Sequence, residues 1–281
     1  MWSWLCLCRL LHDGITDAFP CDGTNMHCVT AHAGAVVVNG PASINTAAPL
    51  VCADQTAGSC LSGYVDMPSC LADIASGMTS CFVYLRADAR GLGAVTPGAG
   101  QSFEVHGAVD LAALLELQAG WVVASAASLV LADVRLVGGS GGVAAVSVAS
   151  GGELSLVRVE VESGGAVSFS GSVTVTECVL TGTDLIGSTS FAVLTLSGGT
   201  LTGLAVSMSG GFAVLGGSCV LVDSPVSIVA GTLSVSPREL RSDGSSVPLT
   251  VGRTGTATVT GVVFRSSAGN FTAVSVMDGG A

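Results

Sequence analysis

The feature that most constrains this chain is a phrase repeated from about residue 102 to the last residue. It consists of a short run of alternating apolar residues, a Gly/Ser break, and another such run. The clearest copies are 127–136 (ASLVLADVRL), 152–161 (GELSLVRVEV) and 171–180 (GSVTVTECVL), with a looser one at 255–264 (GTATVTGVVF). The three clearest copies begin 25 and 19 residues apart, and Gly/Ser breaks begin at Gly138, Ser163, Ser197 and Ser209. A period of that size, carried by β-forming residues, marks a solenoid in which each repeat buries its apolar face by stacking on its neighbours.

Counted from position zero, the three best copies place Leu129/Leu131, Leu154/Leu156 and Val173/Val175 at positions two and four. Positions seven and nine hold Val134/Leu136, Val159/Val161 and Cys178/Leu180. The period-two alternation slips once, at positions five and six, and then resumes. A flat strand cannot face one core on both sides of such a slip, so the expected unit is two short strands joined by a two-residue bend. Stacked coils would put equivalent residues about 4.8 Å apart. Cys178 then shares a column with Val134 and Val159 and reads as a small buried hydrophobe, a reactive thiol being the alternative. Cys219 reads as lying roughly two coils later at a different position, which argues against a bridge to Cys178. Outward position six carries Asp133, Arg158 and Glu177, and position eight carries Arg135 and then Glu160, so opposite charges are expected on successive coils.

Composition narrows the partners. Only 10% of the 281 residues are charged, the net charge is −11, and no lysine occurs among the nine basic residues. Without a basic cluster, nucleic acid and anionic membrane surfaces are poor partners. No stretch of 18 apolar residues appears, so no transmembrane segment is expected. Aromatics contribute 5%, so the core must be built from many small side chains.

Residues 1–20 read as a leader or a frayed N-terminus. MWSWLCLCRLL resembles a truncated signal peptide but lacks a basic start and is interrupted by Arg9. Residues 21–100 read as a Cys-rich module or cap, and 101–281 as the repeats. Eight of the ten cysteines precede residue 82. If Cys6 and Cys8 belong to a leader, Cys21, Cys28, Cys52, Cys60, Cys70 and Cys81 remain as disulfide candidates, with connectivity open. No CxxC pair suggests zinc, so an oxidising compartment is the better reading. Asn270-Phe271-Thr272 is a glycosylation sequon and points the same way. The expected location is secreted, extracellular or at the cell surface.

The GxLxLxxVxV rhythm, the coil length and the bend resemble the right-handed parallel β-helix of the pectin-lyase-like superfamily, over roughly residues 102–281. The resemblance is architectural and implies an all-β fold, a right-handed parallel β-helix behind a small Cys-rich N-terminal module. It departs from the enzyme members in lacking an asparagine ladder, Asn270 being the one Asn of the repeats. The chain stops at Ala281 with no recognisable cap, which reads as a fragment with an exposed, self-associating end.

A lyase of that superfamily would be expected to need clustered Asp for calcium and a basic residue to abstract a proton. The candidate bases are Arg158, Arg238, Arg241, Arg253 and Arg265, scattered over several coils, since His106 is the last histidine. The polar stretch 238–243 (RELRSD) reads as a projecting loop with too few carboxylates for calcium. Glu160 and Glu162 share a strand face, but no cleft or aromatic platform accompanies them, and Trp121 is the one Trp or Tyr of the repeats. His12, His27, His32 and His106 are too dispersed for a metal site. Threonine pairs (174/176, 200/202, 256/258/260) suggest a water-ordering face, yet they read as falling at no common repeat position, and β-propensity explains them. No catalytic, cofactor-binding or metal residue is therefore assigned and no cofactor is expected. The expectation is a non-catalytic structural or adhesive surface protein whose partners are surface proteins, glycans or further copies of itself. A carbohydrate-active lyase or hydrolase-like enzyme is the alternative.

Overall fold

The computed structural model describes residues 88–107, 113–138, 145–162, 165–244, 247–267 and 272–277, together with the strand backbone of Leu5–Arg9, Thr16–Pro20, Cys28–His32, Ala35–Asn39, Leu50–Cys52 and Ser80–Leu85. The described residues form strands, turns and bends, with no helix. From Ser80 onward the strands pair in parallel with the equivalent strand one coil away, which makes a β-solenoid. Of the range 21–100 read as the Cys-rich module, residues 21–87 lie outside the described residues apart from the backbone of the named strands, and Ala89–Leu92 already pairs with Leu114–Leu117 of the solenoid. No helix among the described residues is long and apolar enough to cross a membrane.

Each coil contributes to three parallel sheets. The first contains Ser102–Gly107, Ser128–Ala132, Glu153–Val157, the first halves of Ser172–Thr181 and Val193–Thr202, and Phe212–Gly216. It continues through the later parts of Val226–Val235 and Leu249–Val259. The second runs from Ala89–Leu92 and Leu114–Leu117 through Arg135–Gly138 and Glu160–Glu162 to Glu239–Ser242 and Val263–Ser266. The third begins at Trp121–Val123 and ends at Val274–Val276. Ser102, Ser128, Glu153, Ser172, Val193, Phe212, Thr232 and Thr256 succeed one another in register, so coil length varies between 19 and 26 residues.

The core is a bundle of apolar columns. Phe103, Leu129, Leu154, Val173, Leu194, Ala213 and Leu233 form one, and Val105, Leu131, Leu156, Val175, Leu196, Leu215 and Val235 the next; all are buried. Period-two alternation explains them, because every second side chain of a strand points inward. Burying each Leu or Val contributes roughly 1.5–3 kcal/mol. Trp121 is wholly buried, tilted against Phe103 at 5.7 Å between ring centroids, and its indole N–H donates to the Gly93 carbonyl.

The slip in the alternation corresponds to one left-handed residue per coil. Asp133, Arg158 and Glu177 have φ of 55°, 51° and 54°, and their successors Gly198 and Gly217 have 83° and 67°. One residue of inverted φ turns the backbone while returning the next side chain to the interior. At a second corner Gly182, Gly203 and Asp223 repeat the device with φ of 61°, 61° and 48°. Two expectations change here. The stretch 238–243 does not project as a loop: Glu239–Ser242 is a strand of the second sheet, paired with Val220–Val222 and Val263–Ser266, and its Leu240 fills the core. Cys219 is not at a different position. Cys178 pairs with Gly199, and Cys219 immediately precedes Val220, the partner of Thr200, so Cys178, Gly199 and Cys219 form one column. Two coils separate the sulfurs, about 9.6 Å of stacking, and both thiols are free.

Candidate interaction surface

Three of the charged residues weighed for catalysis, Arg158, Glu160 and Arg265, are held in ion pairs between coils. Arg158 donates from Nε to Asp133 Oδ1 at 2.7 Å and from Nη2 to Oδ2 at 3.1 Å, a two-pronged grip on a largely buried carboxylate. Arg135 Nε lies 3.7 Å from Glu160 Oε2. The opposite charges expected on successive coils are therefore in place at both positions. Glu239 is gripped by Arg241, whose Nη2 donates to Oε2 at 3.0 Å, and by Arg265 from the next strand. The hydrogen bond from Arg241, with the fields of Arg265 and Arg238, holds the Glu239 carboxyl below the usual range. Arg238 and Arg253 are exposed. Glu160 and Glu162 lie on one strand, with Glu160 engaged by Arg135 as above.

His106 sits in the first sheet with its Nε2 3.4 Å from Glu104 Oε2. Cys178 and Cys219 are buried, and burial pushes their thiols up to about 11 and about 12. Among the described residues, no three His, Cys, Asp or Glu side chains converge as metal ligands. The disulfide candidates Cys21, Cys60 and Cys70 and the sequon residue Asn270 lie outside the described residues. Cys28, Cys52 and Cys81 fall in strands described by their backbone alone.

The outer face of the first sheet is a different kind of surface. From Ser172 to Val259 its outward positions are filled by Ser, Thr, Val, Phe and Gly, with Glu177 and Arg253 standing at the corners that bound the sheet. Two of the three threonine sets, 174/176 and 256/258, lie on this sheet in common register, while Thr200 and Thr202 belong to the second sheet beside Val179 and Thr181. Thr174 stacks on Thr195 and Thr176 on Ser197, while Thr232 stacks on Thr256 and Ser234 on Thr258. Their apparent scatter came from coil lengths that change between 19 and 24 residues over this stretch. Hydroxyls cross-link coils on the other faces too, as in the Ser147–Ser168 pair at 3.1 Å.

Two aromatic rings break this polar face. Phe212 is 44% exposed and Phe191 76%. Sequence reasoning missed both. The run Phe-Ala-Val-Leu-Gly alternates equally well in either phase, and only the register decides that Ala213 and Leu215 go inside. Phe191 sits in the tight turn before Val193–Thr202, where its amide donates to the Thr189 hydroxyl. No protein-family model matches this chain, and no curated protein and no solved structure matches it.

Proposed function

We propose that the chain is a non-catalytic structural or adhesive protein of an extracellular or cell-surface setting, in which the solenoid displays a flat interaction face. The observation that carries this reading is the uncharged outer face of the first sheet, with its stacked hydroxyls and its two exposed phenyl rings. A surface without charges, rich in groups that both donate and accept, suits contact with another neutral surface rather than polar chemistry on a small substrate. Arg158, Arg135 and Arg265 are spent on pairing carboxylates of neighbouring coils, which supports a scaffold role for them. The parallel stacking in three sheets also supports the likeness to the pectin-lyase-like superfamily, as a shared architecture.

The test has two arms. The full chain, produced through a secretory route, is assayed for adhesion to cell walls and extracellular matrix, and Thr195→Arg with Thr232→Arg places charge on the face. Adhesion lost in that variant, at unchanged stability, supports the reading. Release of sugar products from a polysaccharide, abolished by a single substitution on the outer surface, would overturn it in favour of an enzyme. Fully reduced Cys21–Cys81 thiols in the secreted protein would refute the disulfide module and the oxidising location.

A further inference from the structure

The centre of the uncharged face differs from its flanks. On Phe212–Gly216 the outward positions are Phe212, Val214 and Gly216, so the hydroxyls stop for one coil. Thr195 and Ser197 border this strand on one side, and Thr232 and Ser234 on the other. The result is a narrow apolar patch of Phe212 and Val214, joined at the Phe212 end by Val193 of the neighbouring strand, with hydroxyls on both sides of Val214. Neighbouring strands stand about 4.8 Å apart, so these two hydroxyl banks lie about 10 Å from each other. Phe191 flanks the Phe212 end of the patch from the neighbouring coil, because it stands two residues before Val193, the register partner of Phe212.

This pattern specifies an occupant with apolar faces, a hydroxyl-bearing rim and no charge. A pyranose ring with equatorial substituents has those properties: its C–H bonds line the flat faces and its hydroxyls project from the edge. Laid on Phe212 and Val214, such a ring would turn its rim toward Thr195 and Ser197 on one bank and Thr232 and Ser234 on the other. We propose that the patch binds a neutral polysaccharide of equatorially linked pyranoses, its chain running along Phe212–Gly216 toward Phe191. This inference rests on reading the chain as a surface scaffold, and names the partner of that face. A polyuronate would find no guanidinium on this stretch of the face to pair with its carboxylates. An ordered-water lattice needs unbroken hydroxyl columns, which Phe212 and Val214 interrupt. A protein partner would need a larger apolar centre than these few side chains, since stable interfaces bury about 800 Å² on each side.

The experiment titrates the full chain with cellohexaose by calorimetry and measures its retention on cellulose, with polygalacturonate and a matrix protein as the competing ligands. Binding of cellohexaose, unchanged between low and high salt, is expected, because no ion pair forms. Phe212→Ala should weaken it about tenfold and Phe191→Ala severalfold, as loss of an aromatic contact implies. Phe212→Leu keeps apolar area but removes the ring, and should weaken binding nearly as much. Val122→Ser, on the third sheet, should leave it unchanged. Unchanged melting in these variants separates lost contact from lost fold. No binding of any neutral glycan, salt-sensitive preference for polygalacturonate, or full binding by Phe212→Ala each overturns the inference. If the wild-type chain ignores glycans yet keeps Phe212-dependent adhesion to a protein matrix, the glycan inference falls while the scaffold reading stands.

Discussion

The Cys178 thiol and the Ser224 hydroxyl make the same three contacts at two different corners of the solenoid. Cys178 Sγ lies 3.3 Å from the Thr176 carbonyl two residues back, 3.3 Å from the Leu156 carbonyl one coil down, and accepts from the Val159 amide at 3.3 Å. Ser224 Oγ lies 2.8 Å from the Val222 carbonyl and 3.1 Å from the Leu201 carbonyl, and accepts from the Leu204 amide at 3.4 Å. Each follows a left-handed residue, Glu177 or Asp223, and each reaches the matching point of the coil below. Turning the corner takes backbone groups out of the strand ladder, and a small X–H side chain is what re-engages them in a dry interior. Cys178 is thus a hydrogen-bonding corner piece as well as a buried hydrophobe.

Removing either staple should therefore cost more than the lost volume. Ser224→Ala leaves the Leu204 amide and the Leu201 carbonyl without that hydroxyl, an expected loss of about 1–3 kcal/mol. Cys178→Ser keeps a donor and acceptor in place and should cost less than Cys178→Val, which fills the space but bonds nothing. Urea unfolding midpoints of the three variants check the order. Cys178→Val matching wild type would show that the thiol only packs.

The glycines divide by what surrounds them. Gly199, at φ 88°, would place a Cβ 2.0 Å from the Cys178 carbonyl oxygen, against backbone that cannot yield. Gly203, at φ 61°, has nothing within 4 Å of that position, and Asp223 holds the same corner one coil on. Gly199→Ala should lose about 2–4 kcal/mol, from inverted φ and collision together. Gly203→Asn should stay within about 1 kcal/mol, because Asn tolerates this region. Thermal melts of the two variants measure the difference. Equal losses would mean that backbone conformation alone, without crowding, sets the cost.

Much of the fold was legible because its signal is local. Leu129, Leu154 and Val173 announce a column by alternation, and Asp133, Arg158 and Glu177 announce the bend as a slip. The misplacement of Cys219 has a specific cause. Ser197-Gly198-Gly199 resembles a break between coils, yet it lies inside the strand Val193–Thr202, where Gly198 occupies the bend column of Glu177. Gly210 and Gly211 lie before the strand Phe212–Gly216, at a different corner, so similar-looking breaks mark different points on the coil. The exposed phenyl rings were hidden for a related reason, since phase along a strand is settled by pairing with other coils. The ion pairs were legible as alternating signs at fixed positions, but Arg265 reaching Glu239 required the register of the last two coils.

The buried thiols give the protein an alkaline limit. Cys178 and Cys219 ionise near about 11 and about 12 in the folded chain, against an ordinary 9.0 once unfolded. Their neutral forms are what the core accepts, so below pH 9 they leave stability unchanged. Above it the unfolded state loses protons first, and each thiol should subtract up to about 1.4 kcal/mol per pH unit until its folded value is reached. Iodoacetamide at pH 8 should leave both residues unmodified in the native protein and alkylate both in denaturant, as peptide mapping would show. Rapid native labelling of Cys178 would contradict the closed corner.

Glu239 sets a limit at the acid end. Arg241 holds its carboxyl below the usual 4.5, with Arg265 and Arg238 adding to the field. A depressed folded value stabilises the chain at neutral pH, where the carboxylate separates two guanidiniums that stand in register on adjacent strands, Arg241 and Arg265. As pH falls below 4.5 the unfolded carboxyl protonates first, and the advantage disappears once pH passes the folded value. Glu239→Gln should therefore melt lower than wild type at pH 7, and the gap should close on acidification below pH 4.5. Added salt should narrow the gap at pH 7, because the arginines are exposed enough to be screened. Melting curves of both proteins from pH 3 to 7 decide the matter: a gap that stays constant with pH would assign the role of Glu239 to packing, not to its charge.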